Sequence, residues 1–237
     1  QHDAPVVDYE AQRLLDEAGL EKSLCDVAFA KQCVDRTAAA LKEALKSPRK
    51  VTHYGIGSGN VEGVTSNRRV VLPDGTITYG RGSATADPAL RSLPEGIIDP
   101  FLKTLSFWDG DTPLAALSAY STHPMSYYGK GGVSADFVGM ARARRQAELP
   151  EVFQMYFTGC SGDTTAGKFN DGDPANRPVL ADRIYRGMVN AWENTQRYPL
   201  EQATLRVAPL NLVPKRFGGY SETDARATLA DASVKTF

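Results

Sequence analysis

The sequence predicts a mixed α/β (α+β) fold, in which a mixed β-sheet that contains hairpins is layered with helices. Two observations predict it. Helical repeats of apolar residues alternate along the 237-residue chain with short apolar runs of strand character. Two pairs of those runs are joined by the turn sequences Pro73-Asp74-Gly75 and Asp109-Gly110-Asp111-Thr112. Because hairpins supply antiparallel strands, strands of this kind mixed with helices indicate a mixed sheet and not a purely parallel one.

The chain begins with two predicted helices. The first covers residues 7–17, with Asp3 as its cap and Pro5 in its first turn. The second covers residues 23–45, where apolar residues recur at intervals of three, four and seven and lysine and glutamate occupy the opposite face. It ends at Ser47-Pro48, because proline disfavours a helical conformation for the residue before it.

Predicted strands follow, and the last of this group leads to a histidine. They cover residues 51–56, 69–72, 76–79, 102–108 and 113–121. After them comes Thr122-His123-Pro124-Met125-Ser126, so that His123 lies where a strand runs out into a loop. Loops held by a rigid scaffold are where proteins present many of their active-site side chains.

The sequence of the second half of the chain predicts further helices and strands, with one long polar loop among them. They are a helix that starts near Ser134 as its cap, a strand at 152–157, a helix at 179–194, a strand at 205–213 and a helical start at Ser221. The loop covers residues 158–176 and is rich in glycine, aspartate, serine and threonine. It is too long for a plain connection, which favours a functional role.

Charge and cysteine content exclude some classes of protein. Lysine and arginine number 27 against 28 aspartates and glutamates, a net charge of −1, so nucleic acid is not an expected partner. No apolar run approaches the roughly 20 residues that span a bilayer. Of the three cysteines, Cys25 and Cys33 are eight positions apart in a helical pattern, or about 12 Å along the axis. That separation is too long for a disulfide, so the cysteines do not indicate a redox compartment.

Three histidines and one loop are the first candidates for chemistry. His2, His53 and His123 could each be a structural residue, a metal ligand or a proton shuttle, and the strand-end position favours His123. In the loop, glycines allow a ligand close to the backbone, and Thr164 and Thr165 offer a nucleophile or an oxyanion donor. The alternative is a polar turn in which an aspartate caps backbone amides.

Two charged positions are also open to a functional or a structural interpretation. Arg68 precedes a predicted strand and is either solvated surface or a carboxylate clamp. Asp136 lies at a helix start, where the helix dipole favours a carboxylate, and it could also orient a ligand histidine.

Taken in order, these segments resemble the catalytic domain of the neutral, non-lysosomal ceramidase family. That family has a His-x-His-x-x-Pro motif, an Asn-Arg pair, a strand that ends in His-Gly-Thr-Ser, a Ser-Gly-Asp at a helix start and a Gly-Asp-x-Ser-Pro loop. The corresponding segments here are Gln1-His2-Asp3-Ala4-Pro5, Asn67-Arg68, His123-Pro124-Met125-Ser126, Ser134-Ala135-Asp136 and Gly162-Asp163-Thr164-Thr165-Ala166. Each match is short, whereas their order and spacing are fairly specific.

The resemblance implies a zinc site. It makes His123 a zinc ligand and His2 a ligand or a catalytic neighbour, with the remaining histidine before Gln1 and a glutamate and a tyrosine after Phe237. Arg68 and the hydroxyl loop would stabilise the oxyanion, with Thr165 where the family has serine. Asp136, Asp163 and Ser126 would support the site.

The activity implied is zinc-dependent hydrolysis of an amide bond, from an N-acyl sphingoid or a related lipid amide to a fatty acid and an amine. The family further implies sphingolipid metabolism, a secreted or periplasmic protein, a lipid substrate and a peripheral membrane surface. We expect residues 1–237 to be part of one catalytic domain, truncated at both ends.

Two alternatives remain at the level of the sequence. The threonine at position 165, in place of serine, suggests a non-catalytic relative that binds a glycan or a lipid. The other alternative is a metal-independent acyl hydrolase that uses Thr165 or Ser126 as its nucleophile. The family's glycine and proline beside the site are here Pro124 and Ala166, which bears on the substrate more than on the reaction type.

Overall fold

The computed structural model describes residues 8–127, 132–211 and 221–231. The chain divides into two compact units, Gln1–Glu201 and Gln202–Phe237, and each is described by itself. The first unit is a mixed sheet with helices, which confirms the predicted fold class. Among the described residues, the helices are too short or too polar to cross a membrane.

The helices and strands of the first unit follow one another in a mixed order. They are α1 (Tyr9–Glu17), α2 (Val27–Ala44), β1 (His53–Asn60), β2 (Ser66–Asn67), β3 (Arg69–Val71), β4 (Ile77–Tyr79), α3 (Pro88–Ser92), β5 (Phe101–Asp109), β6 (Thr112–Tyr120), α4 (Asp136–Glu148), β7 (Phe153–Thr158), β8 (Thr164–Thr165), α5 (Asn176–Glu193) and β9 (Gln196–Pro199). In the second unit, residues 222–230 form α6 (Glu222–Ala230).

The main sheet has five strands in the order β7-β6-β5-β1-β9. The β5–β6 hairpin and the β1–β5 and β1–β9 pairs are antiparallel, as the turn sequences predicted for the hairpin. β6 and β7 are parallel, with α4 as the crossover between them. The sheet is therefore mixed, and the carboxyl ends of β6 and β7 lie side by side.

Helices α4 and α5 pack against one face of this sheet, here called the covered face. Glycines at positions 55, 57 and 59 let α5 lie directly on β1. A Cβ atom at Gly57 would come within 1.9 Å of the Ala191 carbonyl oxygen, and one at Gly59 within 2.4 Å of the Gly187 carbonyl oxygen. Only residues without a side chain allow so close an approach. The core between sheet and helices contains Leu102, Tyr120, Phe137, Leu180 and Ile184, all fully buried.

The opposite face of the sheet, here called the open face, carries larger side chains in cross-strand rows. One row is Ile56, Leu105, Leu117 and Met155, and its neighbour is Tyr54, Phe107, Ala115 and Phe153. Tyr198 of β9 stacks on Tyr54, with 5.5 Å between ring centroids. Ile56, Leu105 and Phe153 are exposed in the described structure.

Helix α1 begins later than predicted. Asp8 is its N-cap and accepts a hydrogen bond from the Ala11 N–H at 2.9 Å, so the prediction of Asp3 as the cap is wrong. Asp3 and Pro5 lie outside the described residues. Helix α2 is confirmed, with Asp26 as its N-cap, and its apolar residues Val34 and Leu41 are exposed.

One predicted strand and one predicted helix start also need correction. The strand predicted at 205–213 is wrong, because residues 205–211 form no strand and residues 212–213 lie outside the description. A strand the sequence did not predict, β9, pairs with β1 instead. Helix α4 begins at Asp136, and Ser134 accepts a hydrogen bond from its N–H at 3.3 Å without being the N-cap. The helical start at Ser221 is confirmed by a capping box with Asp224.

Candidate functional site

The candidate site lies at the carboxyl ends of β6 and β7. The segments that follow these two strands, residues 121–127 and 159–167, come together there. The Gly159 N–H donates to the Tyr120 carbonyl at 2.9 Å, and the His123 N–H donates to the Thr164 carbonyl at 3.1 Å. In α/β sheets, this edge of a parallel pair is where ligand sites form.

The sheet positions the half-buried His123 through its backbone. Its N–H is tied to the second polar segment, and its carbonyl accepts a hydrogen bond from the Met125 N–H at 2.9 Å. The segment therefore turns tightly after Tyr120 and does not extend into solvent. The strand-end position expected from the sequence is confirmed.

Arg68 and Asp163 meet through a short strand pair. β2 and β8 are antiparallel, with Ser66 opposite Thr165 and Asn67 opposite Thr164. Beyond the pair, the Arg68 N–H donates to the Asp163 carbonyl at 2.7 Å, and the Asn67 side-chain amide donates to the Asp163 carboxylate at 3.2 Å. The Asn-Arg pair and the Gly-Asp loop, nearly a hundred positions apart, are therefore in direct contact.

The Arg68 guanidinium is held from the β3–β4 hairpin. Its Nη1 donates to the Tyr79 hydroxyl at 2.7 Å. Its Nε is buried and has no hydrogen-bond partner among the described residues. The neighbouring Arg69 forms an ion pair with the Asp163 carboxylate, with 3.6 Å between the charged atoms. Arg69 is the more exposed of the two arginines.

The hydroxyls of the threonine pair differ in their surroundings. Thr165 is fully buried, and its hydroxyl donates to the Gly82 carbonyl at 2.9 Å. The Thr164 and Thr122 hydroxyls are buried and have no hydrogen-bond partner among the described residues. Oδ1 of Asp163 is also buried and accepts no hydrogen bond there, and it lies 3.6 Å from the Arg69 guanidinium. A buried hydroxyl without a partner is costly, so a water molecule or a ligand group at the two threonine hydroxyls would be favourable.

Ser126 and Asp136 form a second polar cluster. Asp136 has a φ of +49°, a left-handed conformation that is uncommon for a residue with a side chain. Its carboxylate accepts hydrogen bonds from the Ser126 N–H at 2.9 Å and the Ser126 hydroxyl at 2.5 Å. The Arg177 Nε lies 3.4 Å from the same carboxylate, and its guanidinium lies 4.4 Å from the Tyr127 ring centroid. The Asp136 carboxylate therefore links α4, α5 and the segment after β6.

Two residues that contact this cluster were not among the site residues predicted from the sequence. Arg177 lies in the first turn of α5, and Asn170 donates from its side chain to the carbonyls of Ser126 and Ser83 at 2.8 and 2.9 Å. Asn170 belongs to the loop that composition marked as functional. Arg177 carries no local signal, because only the tertiary fold brings it to Asp136.

One cavity is bordered by Pro124 and Met125 and another by Ser121, and each has a volume of about 630 Å³. The first is lined by Met125, Asp136, Val138, Arg142 and Tyr156, among others. The second is lined by a group that includes Asn67, Phe101, Lys103, Asp163 and Thr164. A small-molecule substrate thus has space beside the segment that carries His123, although His123 itself lines neither cavity.

The described residues do not form a zinc site by themselves. Among residues 8–127, 132–211 and 221–231 no three histidine, cysteine, aspartate or glutamate side chains are grouped as metal ligands. His123 supplies one possible ligand, and His2 lies outside the described residues. Catalytic zinc requires three protein ligands, so the described residues could hold such an ion only together with ligands from outside them. The three cysteines, Cys25, Cys33 and Cys160, are free thiols.

Comparison with known proteins gives a partial similarity. No protein-family model matches the sequence, and no curated protein matches it. A solved structure of a ceramidase complexed with C2 aligns with a TM-score of 0.41 and 18% identity, over 60% of this chain and 22% of that one. The neutral ceramidase from Pseudomonas aeruginosa aligns with a TM-score of 0.42 and 19% identity, over the same shares. The aligned region spans about a fifth of either structure, and over it this chain is similar at low identity to neutral ceramidases.

Proposed function

We propose that this protein is a ceramidase-like hydrolase that cleaves the amide bond of an N-acyl sphingoid or a related lipid amide to a fatty acid and an amine. One observation carries the proposal. Four segments that resemble the family's motifs, residues 67–68, 123–126, 134–136 and 162–166, meet at the carboxyl ends of β6 and β7. They are spread over a hundred positions, and a shared site explains why they converge.

Arg68 would act on the reacting carbonyl. Attack on an amide places negative charge on the carbonyl oxygen, and a fixed cation stabilises that charge most where water is excluded. The Tyr79 hydroxyl and the Asp163 carbonyl hold the side chain and backbone of Arg68, so its orientation is set before substrate binds. The Thr164 hydroxyl, which has no hydrogen-bond partner within residues 8–127, 132–211 and 221–231, is a second donor in this proposal.

Ser126, Asp136 and Asp163 would position the site. The Asp136 carboxylate fixes the segment that carries His123, and Asp163 fixes Asn67 and Arg68. Zinc is the proposed cofactor, with His123 and His2 among its ligands and further ligands outside the described residues. A secreted or periplasmic location and work at a lipid surface belong to the same proposal.

Metal content tests the proposal first. The full-length protein is purified without added metal, beside His123→Ala and His53→Ala, and zinc is measured by mass spectrometry. His53 is the matched control, since it lies on β1 with its ring nitrogen 2.9 Å from the Thr52 hydroxyl. We expect about one zinc per chain, lost in His123→Ala and kept in His53→Ala. A protein without zinc, or with zinc unaffected by His123→Ala, contradicts the zinc mechanism. Hydrolysis of short N-acyl amines by the zinc-loaded protein then tests the substrate class.

The buried Thr165 hydroxyl favours a second candidate, a non-catalytic relative that binds a glycan or a lipid. Its proton is directed to the Gly82 carbonyl and not to either cavity. Thr165→Ser keeps that hydrogen bond and Thr165→Val removes it. Binding of lipid by both variants and the parent, without turnover by any of them, supports the binding protein.

Ser126→Ala separates the third candidate, a metal-independent acyl hydrolase. The Ser126 hydroxyl contacts a carboxylate, which is the arrangement of an activated nucleophile and also of a structural hydrogen bond. Turnover that persists after chelation and is lost in Ser126→Ala supports this reaction. Turnover that is lost on chelation excludes it.

A further inference from the structure

Two residues at helix starts are there against the preferences of the helices themselves. Asp136 begins α4 with a φ of +49°, in the left-handed region that residues with a side chain rarely adopt. Arg177 lies in the first turn of α5, where the partial positive charge of the helix N-terminus disfavours a cation. Exceptions to local preferences are expected at functional sites, where a contact made elsewhere in the fold requires the residue.

The two exceptions are in contact with each other. The Arg177 Nε lies 3.4 Å from Oδ1 of Asp136, and the two side chains are 26% and 12% exposed. Among the described residues, the other contacts of the Asp136 carboxylate are with neutral donors, namely the N–H and hydroxyl of Ser126 and the Phe137 N–H. A charge that is mostly buried needs an opposite charge beside it. Arg177 supplies that charge and so stabilises the left-handed residue.

Arg177 also contacts the segment after β6 directly. Its Nε lies 3.5 Å from the Ser126 hydroxyl oxygen, and its guanidinium lies 4.4 Å from the Tyr127 ring centroid, within the range of a cation–π contact. The other end of this segment is fixed by the hydrogen bond from the His123 N–H to the Thr164 carbonyl. Because Ser126 follows His123 by three positions, anchors at both ends leave the His123 backbone little freedom.

The start of α5 is itself held by the loop before it. The Arg177 N–H donates to the Pro174 carbonyl at 3.2 Å, and the Asn176 side-chain amide donates to Oδ1 of Asn170 at 3.3 Å. Asn170 is fully buried and donates in turn to the Ser126 carbonyl at 2.8 Å. Two links therefore join Ser126 to this end of the helix, and Arg177 acts from a fixed position.

We propose that Arg177 is a positioning residue that sets the orientation of the segment carrying His123, through its contacts with Asp136, Ser126 and Tyr127. The consequence for catalysis rests on the proposed function, in which His123 is a site residue. Arginine suits this role because a planar guanidinium can stack on an aromatic ring while its edge meets a carboxylate. Lysine carries the same charge without the plane.

The first test follows the histidine rings by NMR at fixed pH, in the full-length protein labelled with ¹⁵N-histidine and with His123→Ala as the assignment. Arg177→Met keeps an unbranched side chain and removes the guanidinium. We expect it to shift the ring signals of His123 and to leave those of His53, on β1, unchanged. Arg186→Met is the matched control, the same substitution at a 73% exposed position of the same helix, and it should shift neither histidine.

The second test is steady-state kinetics of amide hydrolysis. A displacement of about 1 Å at a reacting group costs up to about 100-fold in rate, whereas contacts made only in substrate binding appear in KM. We expect Arg177→Met to lower kcat by at least about 10-fold with KM within about 3-fold of the parent. Arg177→Lys restores the charge beside Asp136 and should recover kcat to within about 3-fold of the parent. Arg186→Met should match the parent.

The two tests separate this inference from the proposed function. A parent protein without turnover contradicts the proposed function, and the His123 signals then decide the role of Arg177 alone. Unchanged His123 signals in folded Arg177→Met, equal shifts of His123 and His53, or an unchanged kcat in a protein that turns over would each overturn the positioning role. Circular dichroism checks folding. If Arg177→Met does not fold, Arg177→Lys should still shift the His123 signals alone, since it lacks the stack on Tyr127, and no shift would overturn the proposal.

Discussion

The Asp136 carboxylate accepts two hydrogen bonds from Ser126, one from its N–H at 2.9 Å and one from its hydroxyl at 2.5 Å. The two residues belong to different elements, and Arg177 of α5 completes the cluster. The strained φ of +49° at Asp136 is thus maintained by three contacts on its side chain. Strain of this kind persists only where the surroundings fix the residue, and it is common at functional sites.

Asp136→Asn should destabilise the protein by about 1–2 kcal/mol. Asparagine keeps the shape and tolerates a left-handed backbone, but it loses the charge that Ser126 and Arg177 contact. The free energy of unfolding in urea measures the change. Asp182→Asn, which breaks surface ion pairs with Arg144 and Arg186, is the control and should cost less than about 0.5 kcal/mol. Equal effects of the two substitutions would argue against a special role for the cluster.

Arg68→Ala should reduce kcat/KM for amide hydrolysis by about 100-fold, the effect of removing one donor from a developing oxyanion. Arg69→Ala is the control. It removes an exposed side chain whose ion pair with Asp163 is 3.6 Å long, and it should change kcat/KM by less than about 3-fold. Steady-state kinetics on the full-length protein compares them. This expectation depends on the proposed function, and similar losses in both variants would contradict it.

Arg81→Met should destabilise the fold by about 3 kcal/mol or more. Arg81 is fully buried, and its guanidinium donates to the carbonyls of Leu90, Leu93 and Pro94 at 2.6–3.0 Å. Methionine fills the space but leaves those carbonyls without donors, and each unsatisfied group costs about 1–3 kcal/mol. Thermal and urea unfolding both report the loss. Stability like that of the parent would show that water replaces the guanidinium.

Gly57→Ala should separate α5 from β1. Its Cβ would lie 1.9 Å from the Ala191 carbonyl oxygen and 2.7 Å from the Thr195 hydroxyl, so the helix must move. Overpacking of this kind costs about 1–3 kcal/mol or more. Gly162→Ala is the control, since its Cβ would meet no atom within 4 Å. Unfolding midpoints distinguish them, and a stable Gly57→Ala protein with unchanged near-ultraviolet circular dichroism would be the contrary result.

Glu148 should make stability fall in acid. A hydrogen bond from the Tyr185 hydroxyl, together with the Arg145 guanidinium, holds the pKa of Glu148 below its usual range. A carboxylate whose pKa is lower in the folded state stabilises the fold above its unfolded pKa of about 4.3, and this contribution is lost as the pH falls through the folded value. Glu148→Gln should therefore show a smaller loss of stability between neutral pH and pH values below about 4.3 than the parent does. The exposed Glu151→Gln is the control and should follow the parent.

The sequence predicted the elements whose patterns are local. Helix α2 follows from its apolar repeat, and the β5–β6 hairpin from its turn residues. The strand predicted at 205–213 was wrong because Leu205, Val207 and Leu210 alternate as in a strand, whereas a strand exists only where a partner pairs with it. These three side chains are almost fully exposed in the second unit. Strand β9 has neither an alternating pattern nor a turn signal, so the sequence did not predict it. It is a strand because β1 pairs with it.

The candidate site shows the same division. His123 and the polar loop could be located because each follows a predicted strand. The contact between Arg68 and Asp163 could not, because it depends on two-residue strands that leave no periodic signal. Arg177 needs the packing of α4 against α5, which no local pattern contains. The roles of His2, His123, Arg68 and Thr165 in catalysis stay predictions.

The glycines of β1 also determine which register that strand can adopt. If β1 slipped by one residue against β5, Tyr54, Ile56 and Ser58 would turn toward α5, where there is no room for a side chain. The helix residues that exclude this slip, Gly187 and Ala191, lie more than 120 positions further along the chain. We therefore expect the register of β1 to be fully specified only when α5 is docked on it, which couples this strand to a helix distant in the sequence.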